Sequence, residues 1–279
     1  MDLQKYSFWR ALRPFSFSVA LVVCLTGVIA AFPVSTFDSF SAVLVLFGGL
    51  LLQAGVNLIN DFADRSQVGS AHALCRIYRN FRVGLGCFLI ATIIALYLVA
   101  QVGQGLLWLA LVGIIGALGY TLEPVNYKRR GLGVPLVFWL MGVLMVVGSY
   151  FAVTGQFSLA VVYQSVPVSL LTALLLLSNE LRDYESDREA GIQTLTVRVG
   201  YASSVWLYRG LLIGAYCTAV ILWMLGLVDA LWLLLPSLLV LSGPLKLLRV
   251  PAEQRVALTP LTGRLFLVFG LGYCGALMV

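Results

Sequence analysis

Long apolar runs without alternation between apolar and polar positions dominate this chain. Nine of them lie near residues 15–33, 39–60, 84–102, 105–121, 132–153, 159–179, 204–227, 230–248 and 262–279. Each reaches or approaches the roughly 20 apolar residues that a helix needs to cross a bilayer. They lack the period-2 pattern of barrel strands and are too long for them, so they predict helices. The fifth and sixth are separated only by Thr154-Gly155-Gln156-Phe157-Ser158. The expected fold is all-α: a polytopic membrane protein of nine transmembrane helices, arranged as two parallel four-helix repeats plus one. No linker or low-complexity segment breaks the pattern, so residues 1–279 read as a single domain. The first run follows a basic start, as a signal peptide would. No small-residue cleavage site follows it, however, and eight more runs come after.

The polar positions test this reading. With the N-terminus in the cytoplasm, the loops after the second, fourth, sixth and eighth helices are cytoplasmic. Those loops and the N-terminal segment, with the helix ends beside them, hold all 18 Lys and Arg residues, while the outer loops hold only Asp38 and Asp229. This is the bias expected of cytoplasmic loops, and a wrong helix count would scramble it. It places the chain as an integral protein of a bacterial-type inner membrane, with its long inner loops and any active site on the cytoplasmic side.

Composition adds little but excludes much. The chain is 61% hydrophobic and 11% charged, with a mean hydropathy of +0.98. Soluble domains carry roughly 25% charged residues, so a water-soluble globule is excluded. The net charge of +6 reads as topology plus attraction to anionic headgroups, and not as a nucleic-acid surface. The five cysteines form no C-x-x-C pair, and neither zinc nor a disulfide framework is indicated. His72, the single histidine, lies in an inner loop and receives no role.

Carboxylates are costly in so apolar a chain unless they face water, cations or a metal. Two acidic clusters stand out at the inner ends of corresponding runs: Asn60-Asp61-Phe62-Ala63-Asp64 and Asn179-Glu180-Leu181-Arg182-Asp183-Tyr184-Glu185-Ser186-Asp187. The same offset relates Asn60 to Asn179 and Asp64 to Asp183. If the sixth helix continues inward, Asn179, Asp183 and Asp187 repeat at i, i+4 and i+8 on one face. Arg182, Glu185, Arg188 and Glu189 then fall on other faces and can pair among themselves. Asn60 and Asp64 are likewise four apart, and Asn57 and Gln53 continue their stripe into the membrane. Oxygen-only ligands of this kind suit Mg²⁺ or Mn²⁺, held by a few carboxylates together with substrate phosphate oxygens. The two clusters are therefore a candidate divalent-cation site, and diphosphate chemistry is the expected use.

With these motifs the chain resembles the UbiA-type membrane aromatic prenyltransferases. The resemblance is nearest to the 1,4-dihydroxy-2-naphthoate polyprenyltransferases of menaquinone synthesis. It rests on Gln53-x-x-x-Asn57-Leu58-x-Asn60-Asp61-x-x-Asp64, on Arg182-Asp183-x-Glu185-x-Asp187-Arg188-x-Ala190-Gly191, on Thr194-Leu195-x-Val197-Arg198-x-Gly200 and on Arg130-Gly131-Leu132-Gly133. The resemblance implies Mg²⁺-dependent transfer of a polyprenyl chain from prenyl diphosphate to an aromatic ring carbon, with loss of the acceptor's carboxylate as CO₂. It implies Asn60, Asp61, Asp64, Asp183 and Asp187 as the metal ligands, and catalytic roles for Asp61, Asp64, Asp183, Asp187 and Lys128, with Lys128 as a mobile charge on the diphosphate. It implies substrate contacts from Asn57, Asn60, Tyr120, Arg130, Asn179 and Arg182. Lys128 to Arg130 also read as topogenic charges, and Tyr120 as part of an interfacial aromatic belt.

The chain departs from the family in one loop. A third aspartate usually follows the first motif, and its two possible positions here hold Val68 and Ser70. The expected consequence is a higher Mg²⁺ requirement. The same loop carries Arg76, Arg79 and Arg82 at i, i+3 and i+6, a basic face for either a diphosphate or lipid headgroups. The alternatives to the naphthoate reading are another aromatic acceptor, a non-catalytic paralogue and a cation-coupled transporter. A transporter would place its carboxylates near mid-membrane beside broken helices, whereas these lie at helix ends.

Overall fold

A computed structural model describes residues 6–62, 65, 68–121 and 127–279, with the backbone alone at residues 118, 120, 121, 128 and 129. Among the described residues there is no strand. The helices are α1 (Phe8–Leu12), α2 (Phe17–Ala30), α3 (Ser39–Asn60), α4 (Ala71–Val102), α5 (Gln104–Thr121), α6 (Gly133–Val137), α7 (Met145–Thr154), α8 (Leu159–Arg182), α9 (Tyr184–Glu189), α10 (Leu195–Val199), α11 (Tyr201–Met224), α12 (Leu235–Val240), α13 (Ser242–Leu247) and α14 (Leu258–Met278). A π-helical stretch, Phe138–Leu144, joins α6 to α7.

Seven segments of the described chain are long and apolar enough to cross a membrane: Phe8–Ala30, Ser39–Asn60, Ala71–Val102, Gly133–Thr154, Leu159–Arg182, Tyr201–Met224 and Ala252–Met278. Two of the nine expected runs form shorter apolar helices, Gln104–Ala117 and Leu231–Leu247. Pro236 and Pro244 account for the second. Each lacks a backbone N–H, and the run divides into a 3₁₀ turn, α12 and α13. Outward faces carry large exposed apolar side chains such as Leu89, Ile93, Leu96, Trp206 and Leu239, the inverse of a water-facing surface.

Hydrogen bonds sort the helix ends into two groups. At one end the amide of Asp38 donates to the carbonyl of Val153 at 3.2 Å, and the Thr36 hydroxyl donates to the carbonyl of Thr154 at 2.9 Å. This ties the start of α3 to the end of α7. Asp38 caps α3 by accepting from the amides of Phe40 and Ser41. Hydrogen bonding from Ser41, first through its side chain, holds the Asp38 carboxyl below the usual carboxylate range. Gln101 and Val102 line the same cavity, about 350 Å³, as Thr36, Asp38 and Thr154. Also at this end, Gln164 of α8 donates to the carbonyl of Leu227 at 2.8 Å, and Asp229 donates to the carbonyl of Ala276 at 3.1 Å. α3 and α8 therefore start at one end and deliver both acidic clusters to the other.

Small residues set the closest approaches, as expected where helices associate without water to expel. A Cβ on Gly27 of α2 would collide with the Val146 carbonyl oxygen of α7. One on Gly84 of α4 would meet Gly55 O of α3 at 3.1 Å. One on Gly142, in the π-helical stretch, would lie 2.7 Å from Ser169 Cα of α8. α2 and α14 run parallel, with Val22 against Gly270 and Phe15 beside Gly263. A small separate cluster of Tyr6, Val68, Ala73 and Ile77, flanked by Phe62 and Leu74, packs the N-terminal segment onto the start of α4.

Candidate active site

The first acidic cluster ends α3. Gln53 donates to Asn57 Oδ1 at 3.1 Å, so the two share one face, as expected. The face meets an elbow of the N-terminal segment. Asn57 donates to the Leu12 carbonyl at 2.6 Å and to Ser16 Oγ at 2.7 Å, and Gln53 donates to Ser16 Oγ at 3.2 Å. α3 stops at Asn60, and Asp61 is its C-cap. Asn60 is exposed and Asp61 is buried at 9%. Arg13, from the elbow, reaches both. Its Nη2 lies 3.4 Å from Asp61 Oδ1; with the Asn60 amide assigned so that its oxygen, not its NH₂, faces this donor, that oxygen accepts from Nη1 and Nη2 at 2.7 and 3.0 Å. Arg13 has φ +49° and ψ +66°, and among the described residues it is the only non-glycine with positive φ. A side chain there costs about 1–2 kcal/mol. Asp64 lies outside the described residues.

The second cluster ends α8, but the helix does not run straight through it. α8 stops at Arg182, Asp183 takes φ −94° and ψ 8°, and α9 follows. The Asp183 amide still donates to the Asn179 carbonyl at 3.0 Å, and the Asp187 amide to the Asp183 carbonyl at 2.8 Å. Backbone bonds thus link the three expected positions across the bend. The pairing differs from the expectation that Arg182 would pair with its charged neighbours on other faces. Arg182 instead donates in a fork to Asp183, Nε to Oδ1 at 2.7 Å and Nη2 to Oδ2 at 2.6 Å. Its Nη1 reaches Thr259 Oγ1 in α14 at 3.3 Å. Glu185 pairs with Arg255, a buried arginine that also donates to the Leu181 carbonyl at 2.7 Å and lies 4.4 Å from the Tyr201 ring centroid. Glu180 is buried and accepts from both the amide and the hydroxyl of Thr196, at 3.0 and 3.1 Å. That clamps α10 against α8.

The clusters share one end of the bundle and are bridged there. Phe15, in the elbow, neighbours Gly263 of α14, and Thr259, one turn earlier in α14, touches Arg182. A third segment joins this end on the side of the second cluster. Tyr127–Arg130 form a 3₁₀ turn, and Gly131 after it has φ +74° and backs onto Arg198 and Leu195. Arg130 is exposed in this turn. The side chains of Tyr120 and Lys128 lie outside the described residues.

Sequence reasoning assigned Arg13 and Arg255 to topology alone. Their roles depend on contacts 48 and 74 residues away, and no local pattern marks either.

The donors at this end are amide and carboxylate oxygens. Among the described residues no three His, Cys, Asp or Glu side chains converge on one point; the first cluster offers Asp61 with Asn60, and the second Asp183 and Asp187. Mg²⁺ typically takes one or two carboxylates plus waters and substrate phosphates, so the donor set fits. Each cluster also already holds a cation against its oxygens, Arg13 on the first and Arg182 on the second.

Known proteins are similar to this chain in sequence and in fold. A 1,4-dihydroxy-2-naphthoate octaprenyltransferase of Bacillus subtilis is 28% identical over 79% of this chain and 73% of its own length. UbiA prenyltransferase domain-containing protein 1 of Rattus norvegicus is 31% identical over 77% of this chain and 68% of its own. The fold is similar to that of a UbiA homolog from Archaeoglobus fulgidus solved bound to DMAPP and Mg²⁺. The TM-score is 0.63, with 16% identity, over 96% of this chain and 99% of that one. Residues 20–258 match the UbiA prenyltransferase family, and the chain belongs to that family of membrane-embedded enzymes.

Proposed function

We propose that this enzyme transfers a polyprenyl chain from its diphosphate to 1,4-dihydroxy-2-naphthoate, with loss of the ring carboxylate as CO₂. The observation that carries this reading is the pair of oxygen-rich clusters delivered by α3 and α8 to one end of the bundle. The acceptor rests on relatives of that name from Bacillus subtilis and other bacteria. The likeness to UbiA prenyltransferase domain-containing protein 1 keeps a different aromatic acceptor as the second reading.

Mg²⁺ would be held by Asn60, Asp61, Asp64, Asp183 and Asp187, and when bound it supplies positive charge to the leaving diphosphate. The chain's own residues do the rest. Lys128 and Arg130, on the inner turn, neutralise charge that develops on the diphosphate as its C–O bond to the prenyl carbon breaks. Asn179 and Arg182 line the approach, Asn57 reaches the substrate only through the elbow it holds, and Tyr120 gives the allylic cation a π face. The apolar bundle takes the prenyl tail and keeps water from the cation. A ring carbon then forms the new C–C bond. Release of CO₂ leaves its bonding pair in the ring and restores the quinol.

The same reading takes nine crossings, with the cluster end facing the cytoplasm. The seven long segments, and the two shorter apolar helices between alternate ends, support that count. The arginine face of α4 is read as a headgroup anchor. Arg79 and Arg82 are exposed beside Tyr78, Cys75 and Val83 along a shallow surface groove of about 560 Å³.

The test uses the full chain in membranes with Mg²⁺, a labelled prenyl diphosphate and a panel of aromatic acids. Prenylated product and CO₂ are expected from the naphthoate. Asp183→Ala and Asp187→Ala should each lose roughly a hundredfold or more in rate while still inserting. Turnover of a benzoate but not the naphthoate overturns the acceptor, and near-normal turnover in both variants overturns the site.

A further inference from the structure

Arg13 is the residue at this end whose local geometry is hardest to explain as topology. It occupies the left-handed region, where glycine or asparagine would reverse the chain with less strain. Pro14 follows it, and the elbow is pinned on both sides by Asn57, through the Leu12 carbonyl and Ser16 Oγ. The backbone is thus held so that one side chain points at the end of α3. There the guanidinium meets the Asn60 amide oxygen at 2.7 and 3.0 Å and Asp61 Oδ1 at 3.4 Å. Asn60 and Asp61 are also the oxygens assigned above to a divalent cation. The lone pairs that accept from a guanidinium cannot at the same time coordinate a metal.

We infer that Arg13 is an internal counter-cation for the first acidic cluster. It holds Asn60 and Asp61 in place without metal, and a divalent cation competes with it for the Asn60 oxygen and Asp61 Oδ1. Arg13 is therefore a positioning residue that sets metal affinity and couples metal binding to the seating of the N-terminal elbow. The arrangement has a local counterpart in the fork from Arg182 to Asp183. It differs in kind, because Arg13 comes from a separate segment of chain, while Arg182 adjoins its partner. The inference rests on the reading of Asn60 and Asp61 as metal ligands.

The size of the effect follows from exposure. The Arg13 side chain is 39% exposed and the Asp61 side chain 11%, so solvent screens the pair and its worth is modest. Removing the competing cation should tighten metal binding by about three- to tenfold.

The experiment measures Mn²⁺ binding to the purified full chain by loss of the free-ion electron paramagnetic resonance signal, without substrate. The proteins are the parent, Arg13→Met, Arg13→Gly, Arg13→Lys and Asp61→Asn. Arg13→Met and Arg13→Gly should both bind Mn²⁺ more tightly, and Arg13→Lys should stay closer to the parent. Arg13→Gly also relieves the left-handed strain, so it reports even where Arg13→Met folds poorly. A purely structural role for Arg13 predicts the opposite sign, because loosening the elbow would weaken the site. Unchanged or weaker binding in both neutral variants overturns the inference. Unchanged binding in Asp61→Asn overturns the metal assignment instead, and no Mn²⁺ binding by the parent overturns both.

Discussion

Val68 and Ser70 hold the two positions at which a carboxylate would complete the first acidic motif, and their surroundings are opposite. Val68 is 5% exposed inside the cluster of Tyr6, Ala73 and Ile77. Ser70 is the N-cap of α4 and accepts from the Ala73 amide at 3.5 Å. Asp in place of Val68 would bury a charge among apolar side chains, and a loss of about 3 kcal/mol or more is expected. Asp in place of Ser70 keeps the cap and puts a negative charge at a helix N-terminus, which favours it. Ser70→Asp should therefore leave the unfolding temperature unchanged and lower the Mg²⁺ concentration for half-maximal activity, while Val68→Asp should mainly unfold the protein earlier. Equal stability of the two variants would remove the buried placement of Val68. The sequence left these positions equivalent because spacing does not say which side chain turns inward. It marked the clusters themselves because carboxylates are rare in an apolar chain. Arginines are not rare at inner loops, so Arg13 and Arg255 drew no attention.

At the level of elements, the apolar runs foretold most of the long helices, and polar punctuation fixed their ends. What the runs did not carry was continuity. Run 230–248 is apolar throughout, yet its two prolines divide it. The extension of α8 bends at Asp183, where the i, i+4 spacing of carboxylates had suggested one straight helix. Helix packing was also hidden, since 27 glycines look alike in sequence and differ only in what faces them. Gly27 faces α7, where an added Cβ would meet Val146 O, Ser149 Cβ at 2.8 Å and Tyr150 N at 3.0 Å. Two of those are backbone atoms, which cannot rotate away. Gly86, in the middle of α4, faces nothing within 4 Å. Gly27→Ala should cost about 2 kcal/mol or more through forced separation of α2 and α7. Gly86→Ala should be neutral or gain up to about 1 kcal/mol from helix propensity. Thermal unfolding in one detergent compares them directly, and a Gly27→Ala protein as stable as its parent would contradict the close α2–α7 contact.

The whole molecule is organised by its two ends, and their assignment to the two sides of a membrane can be checked residue by residue. The cluster end contains Arg13, Arg182 and Arg255, each bonded into the site. The opposite end contains Asp38, Thr154 and Asp229. Basic residues are retained on the cytoplasmic side, so the cluster end should face the cytoplasm, where soluble diphosphates are made and Mg²⁺ is plentiful. The chain's path makes this a strict test. The N-terminal elbow lies at the cluster end through Asn57, and the end of α14 lies at the other through Asp229 and Ala276. Start and finish on opposite sides require an odd number of crossings. Reporter fusions after Thr154, after Asp229 and at Val279 should therefore all read as periplasmic, and fusions after Arg130 or Arg198 as cytoplasmic. A C-terminal reporter on the same side as the Arg198 fusion would make the crossing number even. One of the two contacts that fix the ends of α14, Arg182 with Thr259 at its start or Asp229 with Ala276 near its finish, would then join groups on opposite sides of the membrane, and the bridge from α14 to the second acidic cluster or the closure of the opposite end would have to be given up.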